Sequence, residues 1–133
     1  MAGSLSNAFE TSVLQWLFTT ASPSPVRPTA WHVGLFTDGN GQTVDQPVTE
    51  ATNSNCPGYA RQTASFSVVG DTATNTNAQI FTASGAWATV YCFGVWDAPT
   101  NGNLIAWGTI TAKTLANTDQ LKFDVGQITI NMD

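Results

Sequence analysis

The sequence predicts a mainly β protein, an antiparallel β-sandwich of about seven strands preceded by one N-terminal α-helix. Three observations carry that expectation. Apolar and polar residues alternate with a period of two from Trp31 onward. Clusters of Gly, Asn, Asp, Pro and Thr divide that region at short intervals, as turns do in an all-β domain. Before it, the apolar residues follow the three-and-four spacing of a helix.

The helix is expected over residues 4–18. Ser4 or Ser6 can cap its N-terminus, and Glu10 stands near the positive end of the dipole. Leu5, Phe9, Val13, Trp16 and Leu17 fall on one face, and Leu14 and Phe18 widen the stripe. A helix this apolar must be covered by its own sheet or by a neighbouring subunit, so those five residues form the candidate interface. The helix stops before Ala21-Ser22-Pro23-Ser24-Pro25, because proline lacks the N–H that would continue it. With Arg27-Pro28 that run predicts a stiff, extended linker. Residues 1–30 therefore read as helix and linker, and 31–133 as the sandwich, within one structural domain.

Strands are expected at 31–37, 59–69, 78–81, 89–96, 104–111, 121–125 and 127–132. The segment 89–96 is apolar on both faces and suits a central, sandwiched strand. Loops are expected at 38–57, at 71–77 and at the hairpin connection 97–102, with a bend at Gly126.

Composition narrows the function. A chain of 133 residues fits one domain. Only 10 % of it is charged, against the usual ~25 %, so the polar surface must come from Thr, Asn, Ser and Gln. Such a surface repels its own copies weakly and suits a protein packed beside many neighbours. The net charge is −5, and the four cations Arg27, Arg61, Lys113 and Lys122 are scattered. Nucleic acid and anionic membrane surfaces are therefore not expected partners. No signal peptide and no membrane span of about 20 apolar residues are read from the sequence, so synthesis and assembly are expected in the cytoplasm of the producing cell. Cys92 reads as a buried free thiol and Cys56 as a loop residue; whether they pair is left open.

No reaction centre is expected. His32 is the single histidine and has no Ser or Cys partner in a motif, nor the orienting acid a triad requires. Asp38-Gly39-Asn40-Gly41 faintly resembles the start of a calcium loop, but Thr43 stands where the glycine belongs, and Thr49, with Glu50 one later, stands at the bidentate position. The remaining carboxylates occur singly and read as turn residues. Gly34, Gly94 and Gly108 lie inside strands, where glycine marks close backbone approach or a bulge. No catalytic residue, no metal ligand and no cofactor site is assigned. Trp31, Trp87, Trp96 and Trp107 lie on or near strands. They are expected to fill the core or an interface, with sugar-stacking platforms, and hence a carbohydrate-binding module, as the rival from another class.

Several runs carry a resemblance. Trp31-His32-Val33-Gly34-Leu35-Phe36-Thr37, Gly58-Tyr59-Ala60-Arg61 and Gly85-Ala86-Trp87-Ala88-Thr89-Val90 are three of them. Phe93-Gly94-Val95-Trp96-Asp97-Ala98, followed by Gly102-Asn103-Leu104-Ile105-Ala106-Trp107-Gly108, is the strongest. Residues 119–130, with Phe123, Gly126 and Ile128, look like a closing hairpin. As a set they resemble a family of small tailed-bacteriophage virion proteins commonly labelled phage tail fibre protein. The resemblance implies a non-enzymatic virion structural protein, made in the host bacterial cytoplasm and assembled with copies of itself, a trimer being expected, and with major capsid or tail proteins. Because a fibre shaft needs an elongated, repetitive chain, a capsid decoration or cement protein is the leading expectation. The alternative is a tail or tail-fibre attachment protein.

Overall fold

The computed structural model describes residues 2–39 and 45–132. In chain order the elements are β1 (Ala2–Leu5), α1 (Asn7–Phe18), β2 (Trp31–Phe36), β3 (Gln62–Ala64), β4 (Phe66–Val69), β5 (Thr72–Asn75), β6 (Gln79–Thr82), β7 (Val90–Trp96), β8 (Leu104–Lys113), β9 (Gln120–Phe123) and β10 (Thr129–Asn131). Eight strands form one sheet in the order β3-β2-β7-β8-β1-β10-β5-β4, and β6 pairs with β9 in a second, two-stranded sheet. Every pairing is antiparallel except that of β1 with β10. The fold is thus mainly β with one N-terminal helix, within the sandwich class the alternation predicts.

The large sheet folds back on itself through one residue. Its two edge strands, β3 and β4, are successive pieces of the same chain separated only by Ser65. Ser65 donates its N–H to Asn77 Oδ1 (2.9 Å) and accepts at its carbonyl from Thr76 N–H (2.8 Å). Asn77 Nδ2 in turn donates to the Thr63 carbonyl at 3.1 Å. The two edges left by this bend are short, three residues in β3 and four in β4, which limits pairing with another chain.

Inside the curve lies the main core: Val33, Leu35, Phe81, Val90, Phe93, Val95, Phe123, Ile128 and Ile130, with Trp87 and Leu115 from the connections. Burying a side chain such as Phe93 contributes about 2–3 kcal/mol. Phe123 meets both Phe81 and Phe93 edge-on, at centroid separations of 6.3 and 6.1 Å. β7 sits between β2 and β8 and is buried on both faces, because a second cluster of Phe36, Cys92 and Trp96 covers its outer side. Two facing glycines make room for that cluster. Gly34 is paired with Gly94, and a Cβ at either would come within 2.8 Å of the Trp96 ring. The spacing Gly-x-Phe in β2 and Gly-x-Trp in β7 puts each glycine and its aromatic on the same face, so the rings lie over bare backbone.

The structure corrects several expected elements. Leu5 belongs to a strand, not to the helix, which starts after Ser6. Ala-Gly-Ser-Leu has no strand propensity of its own, and β1 forms because β8 and β10 supply partners on both sides. Gly3 permits that insertion: a Cβ there would stand 2.5 Å from the Trp107 carbonyl. Residues 71–77, expected as loop, contain β5, whose threonines pair with both β4 and β10. The strand expected over 59–69 is broken at Ser65, and its first residues lie outside any strand. The expected closing hairpin is absent, since β9 pairs with β6 while β10 joins the large sheet. The turn at Asn40-Gly41, and Thr43, lie outside the described residues.

Asn75 ties these layers together. Its fully buried side chain donates to the carbonyls of Asn77 (2.9 Å) and Asp124 (3.0 Å) and to Gln79 Oε1 (3.0 Å). It accepts from the N–H groups of Gly126 (3.1 Å) and Ile128 (2.9 Å). Asn75→Ala removes the side-chain partner of the buried Ile128 N–H and of Gln79 Oε1, while the Asn77 and Asp124 carbonyls and the Gly126 N–H keep other bonds, and is expected to cost about 3 kcal/mol. A urea midpoint lowered at unchanged slope is the expected reading.

Candidate functional site

The helix α1 is fastened to the sheet at its start. Ser6, 1 % exposed, is the N-cap: its Oγ accepts from Phe9 N–H (3.4 Å) and donates to the Leu104 carbonyl (2.5 Å), while its N–H donates to the Ile105 carbonyl (2.8 Å). The Asn7 N–H, which has no partner within the helix, donates to Gln46 Oε1 at 3.0 Å, and Asn7 Nδ2 donates to Asp45. Further along, Ser12 Oγ donates to the Pro25 carbonyl at 2.6 Å, and Ser24 N–H donates to Gln15 Oε1 at 3.0 Å. The proline-rich segment expected as an extended linker therefore runs back along the helix, held by it.

This anchoring turns Phe9 and Ser12 inward. At 100° per residue the opposite face carries Leu14 and Phe18, with Leu17 on one flank. They are 57, 78 and 56 % exposed, and Trp16, at the C-terminal end, is 70 % exposed. A groove of about 670 Å³ runs on one side of the helix, between it and the outer surface of β1, β8 and β10; Val13, Leu14, Trp107 and Met132 line it together with Glu10 and Asn131. A second groove, of about 410 Å³, lies on the other side, lined by Phe9, Val13, Trp16, Pro23, Arg27 and Pro28. Of the five candidate interface residues, Leu5 packs against the core and Phe9 is buried. Val13 is half-buried in both grooves, Leu17 is exposed on the flank, and Trp16, on the Phe9 side of the helix, is exposed near its end, where it lines the second groove. The sequence stripe is thus divided between interior and surface. The lining from β8 and β10 comes from distant chain segments and leaves no local sequence signal.

The sequence gives no sign of a half-buried ionic cluster. Arg61 grips Glu50 with two hydrogen bonds of 2.7 Å, from Nε and Nη2. Its Nη1 donates to the carbonyls of Ala98 and Asn101, each at 2.8 Å, and its guanidinium stacks on Trp96 at 4.1 Å from the ring centroid. Tyr59 Oη donates to Glu50 Oε1 at 2.7 Å and accepts from Leu35 N–H at 3.0 Å. Burial, and then the negative charge of Glu50, push the Tyr59 phenol well above its ordinary range, so it stays protonated. Each of these polar groups is occupied within the cluster, which makes it a structural clamp rather than a reaction centre. The run Gly58-Tyr59-Ala60-Arg61 was visible as a motif, but its partner Glu50 sits in a polar loop that gives no pairing signal.

The other sequence candidates are placed as follows. His32 lies in β2 opposite Thr63 and Trp96, with no carboxylate bonded to it among the described residues. Trp87 and Trp96 are buried, and Trp87 Nε1 donates to the Pro57 carbonyl at 2.8 Å; neither offers a sugar-stacking surface. Trp107 is half-buried at the larger groove, and Trp31 is partly exposed. Cys56 and Cys92 are free and buried. Among the described residues no group of three or more His, Cys, Asp or Glu could hold a metal ion, and no helix is long and apolar enough to cross a membrane.

The body is small and β-rich, its polar cluster is satisfied internally, and exposed apolar side chains stand on the anchored helix and also at Val48, Val68, Val69 and Val125, features of a structural protein. Over residues 4–131 the chain matches the family described as Podophage GP4 fiber I protein gp80. It belongs to that family, and is thereby a phage tail fibre-type structural protein and a virion component. No curated protein matches the chain.

Two expectations follow. Arg61→Lys loses the two-pronged grip on Glu50 and the carbonyl contacts, and is expected to destabilise by about 2 kcal/mol, read as a lowered urea midpoint. Burial raises the Cys56 thiol, and burial together with the Asp38 charge raises Cys92 to about 11. Unfolding frees these thiols to ionise at lower pH, so their contribution is full below about pH 9 and is lost as pH rises toward about 11. Urea midpoints are expected to fall between those pH values, and Cys92→Ala to reduce the fall.

Proposed function

We propose that this chain is a subunit of the tail-fibre apparatus of a tailed-phage virion, held there by non-covalent contacts of the α1 surface with other virion proteins. The family match supports this reading over capsid decoration, which low charge and a compact fold favoured from sequence. A globular chain with a folded-back sheet is unlike a shaft segment, and it suits an attachment or terminal module of the fibre assembly. The carrying observation is that a fibre-family chain leaves Leu14, Trp16, Leu17 and Phe18 exposed on a helix fixed at its start by Ser6. Synthesis in the host cytoplasm, before assembly, accompanies the proposal.

Gold-labelled antibody against the protein is expected to mark the tail region of intact particles. Label distributed over the shell would restore the decoration reading. Deleting the first 20 residues is a poor test of the contact, because it would remove β1 from the middle of the sheet. The paired substitution Leu14→Asp and Phe18→Asp leaves the sheet intact and is expected to prevent incorporation into particles. Normal incorporation of that variant would remove α1 as the contact surface.

A further inference from the structure

We infer that Asn101 is a site of spontaneous covalent modification, deamidation to aspartate and isoaspartate, and that Arg61 sets its rate. Three observations carry this.

The first is local chemistry. Asn101 and Gly102 are adjacent and exposed in the β7–β8 connection. Asn101 makes no side-chain hydrogen bond among the described residues, so its amide is free to turn. Gly102 has no Cβ to shield its nitrogen from that amide. Once hydroxide has taken its proton, the Gly102 nitrogen attacks Asn101 Cγ. A C–N bond forms, the Cγ–Nδ2 bond breaks, and ammonia leaves a cyclic imide. Water then opens the ring. Opening at Cγ gives aspartate. Opening at the main-chain carbonyl carbon gives isoaspartate, in which the chain runs through Cβ and Cγ.

The second is backbone geometry. Asn101 and Gly102 both stand at positive φ, 54° and 72°. Asparagine and glycine are the residues that such a turn selects, so the fold itself places the reactive pair here. Aspartate also enters the left-handed region, and the turn therefore accepts the aspartyl product.

The third is restraint. Arg61 Nη1 donates to the carbonyls of Ala98 and Asn101, each at 2.8 Å, and so pins the turn at two points. Ring closure has to swing the Asn101 carbonyl about its Cα–C bond, and that oxygen is one Arg61 holds. The pair reacts when the connection opens locally, and Arg61 governs how often it opens. In isoaspartate the same main-chain carbon becomes a free carboxylate, which adds a negative charge where Arg61 already donates.

Peptide mapping by mass spectrometry on the full chain, incubated at mildly alkaline pH, tests this. Asn101 is expected to convert in the native chain, at least about tenfold more slowly than in urea. Arg61→Lys is expected to speed the native reaction by about tenfold. Asn75→Ala lowers stability without touching the turn, and is expected to leave the rate at Asn101 unchanged. Asn101→Gly keeps the positive φ and is expected to leave its peptide unmodified. A native chain whose Asn101 stays intact while the urea-unfolded chain converts fully would overturn the site. Equal rates in the native chain and in urea, equal rates in wild type and Arg61→Lys, or the same acceleration in Asn75→Ala would each overturn the role of Arg61.

Discussion

Arg61 and Glu50 hold the loops of this protein to its central strands. Glu50 arrives from the loop that follows β2, and Arg61 from the approach to β3; the carbonyls that Arg61 also binds belong to the β7–β8 connection. Arg61 is 5 % exposed at its side chain and Glu50 28 %, so the pair stands largely out of water. A pair in that setting recovers its desolvation cost only when geometry and supplementary hydrogen bonds are good. Here Tyr59, two loop carbonyls and the Trp96 face supply that support.

The same few residues connect the two sides of β2. Trp96, stacked under Arg61, needs the bare backbone of Gly34 and Gly94 beneath its ring. Tyr59 reaches from the clamp into the interior, stacking on Phe81 at 6.0 Å and meeting Trp87 edge-on at 6.2 Å. The outer aromatic cluster and the inner core are therefore coupled through one tyrosine and one arginine. Substitutions at the clamp should propagate further than the loss of a surface ion pair would, because exposed pairs contribute little.

A body closed in this way frees the helix for another purpose. β1 enters the middle of the sheet, Ser6 fixes the helix to β8, and the proline-rich segment returns along it. Rigid attachment lowers the ordering cost of binding, since the apolar side chains already stand on a fixed element.

Much of the architecture was legible in the sequence because period and burial are coupled. The alternation from Trp31 marked β2, the doubly apolar run marked β7 as central, and spacing with a capping serine marked α1. What failed was whatever depended on a distant partner. Ala2–Leu5 becomes a strand only because a gap between β8 and β10 accepts it, and Thr72–Asn75 only because β4 and β10 flank it. Leu5, Phe9, Val13, Trp16 and Leu17 were correctly seen as apolar, yet which of them turned inward was fixed by where Ser6 and Ser12 bind the rest of the chain. By itself the sequence determined a β-rich body with an apolar helix, since residue periodicity is a local property. The pairing of strands, the Glu50–Arg61 clamp and the exposed helix face were decided only in three dimensions, because each requires groups far apart in the chain to satisfy one another's hydrogen bonds and burial.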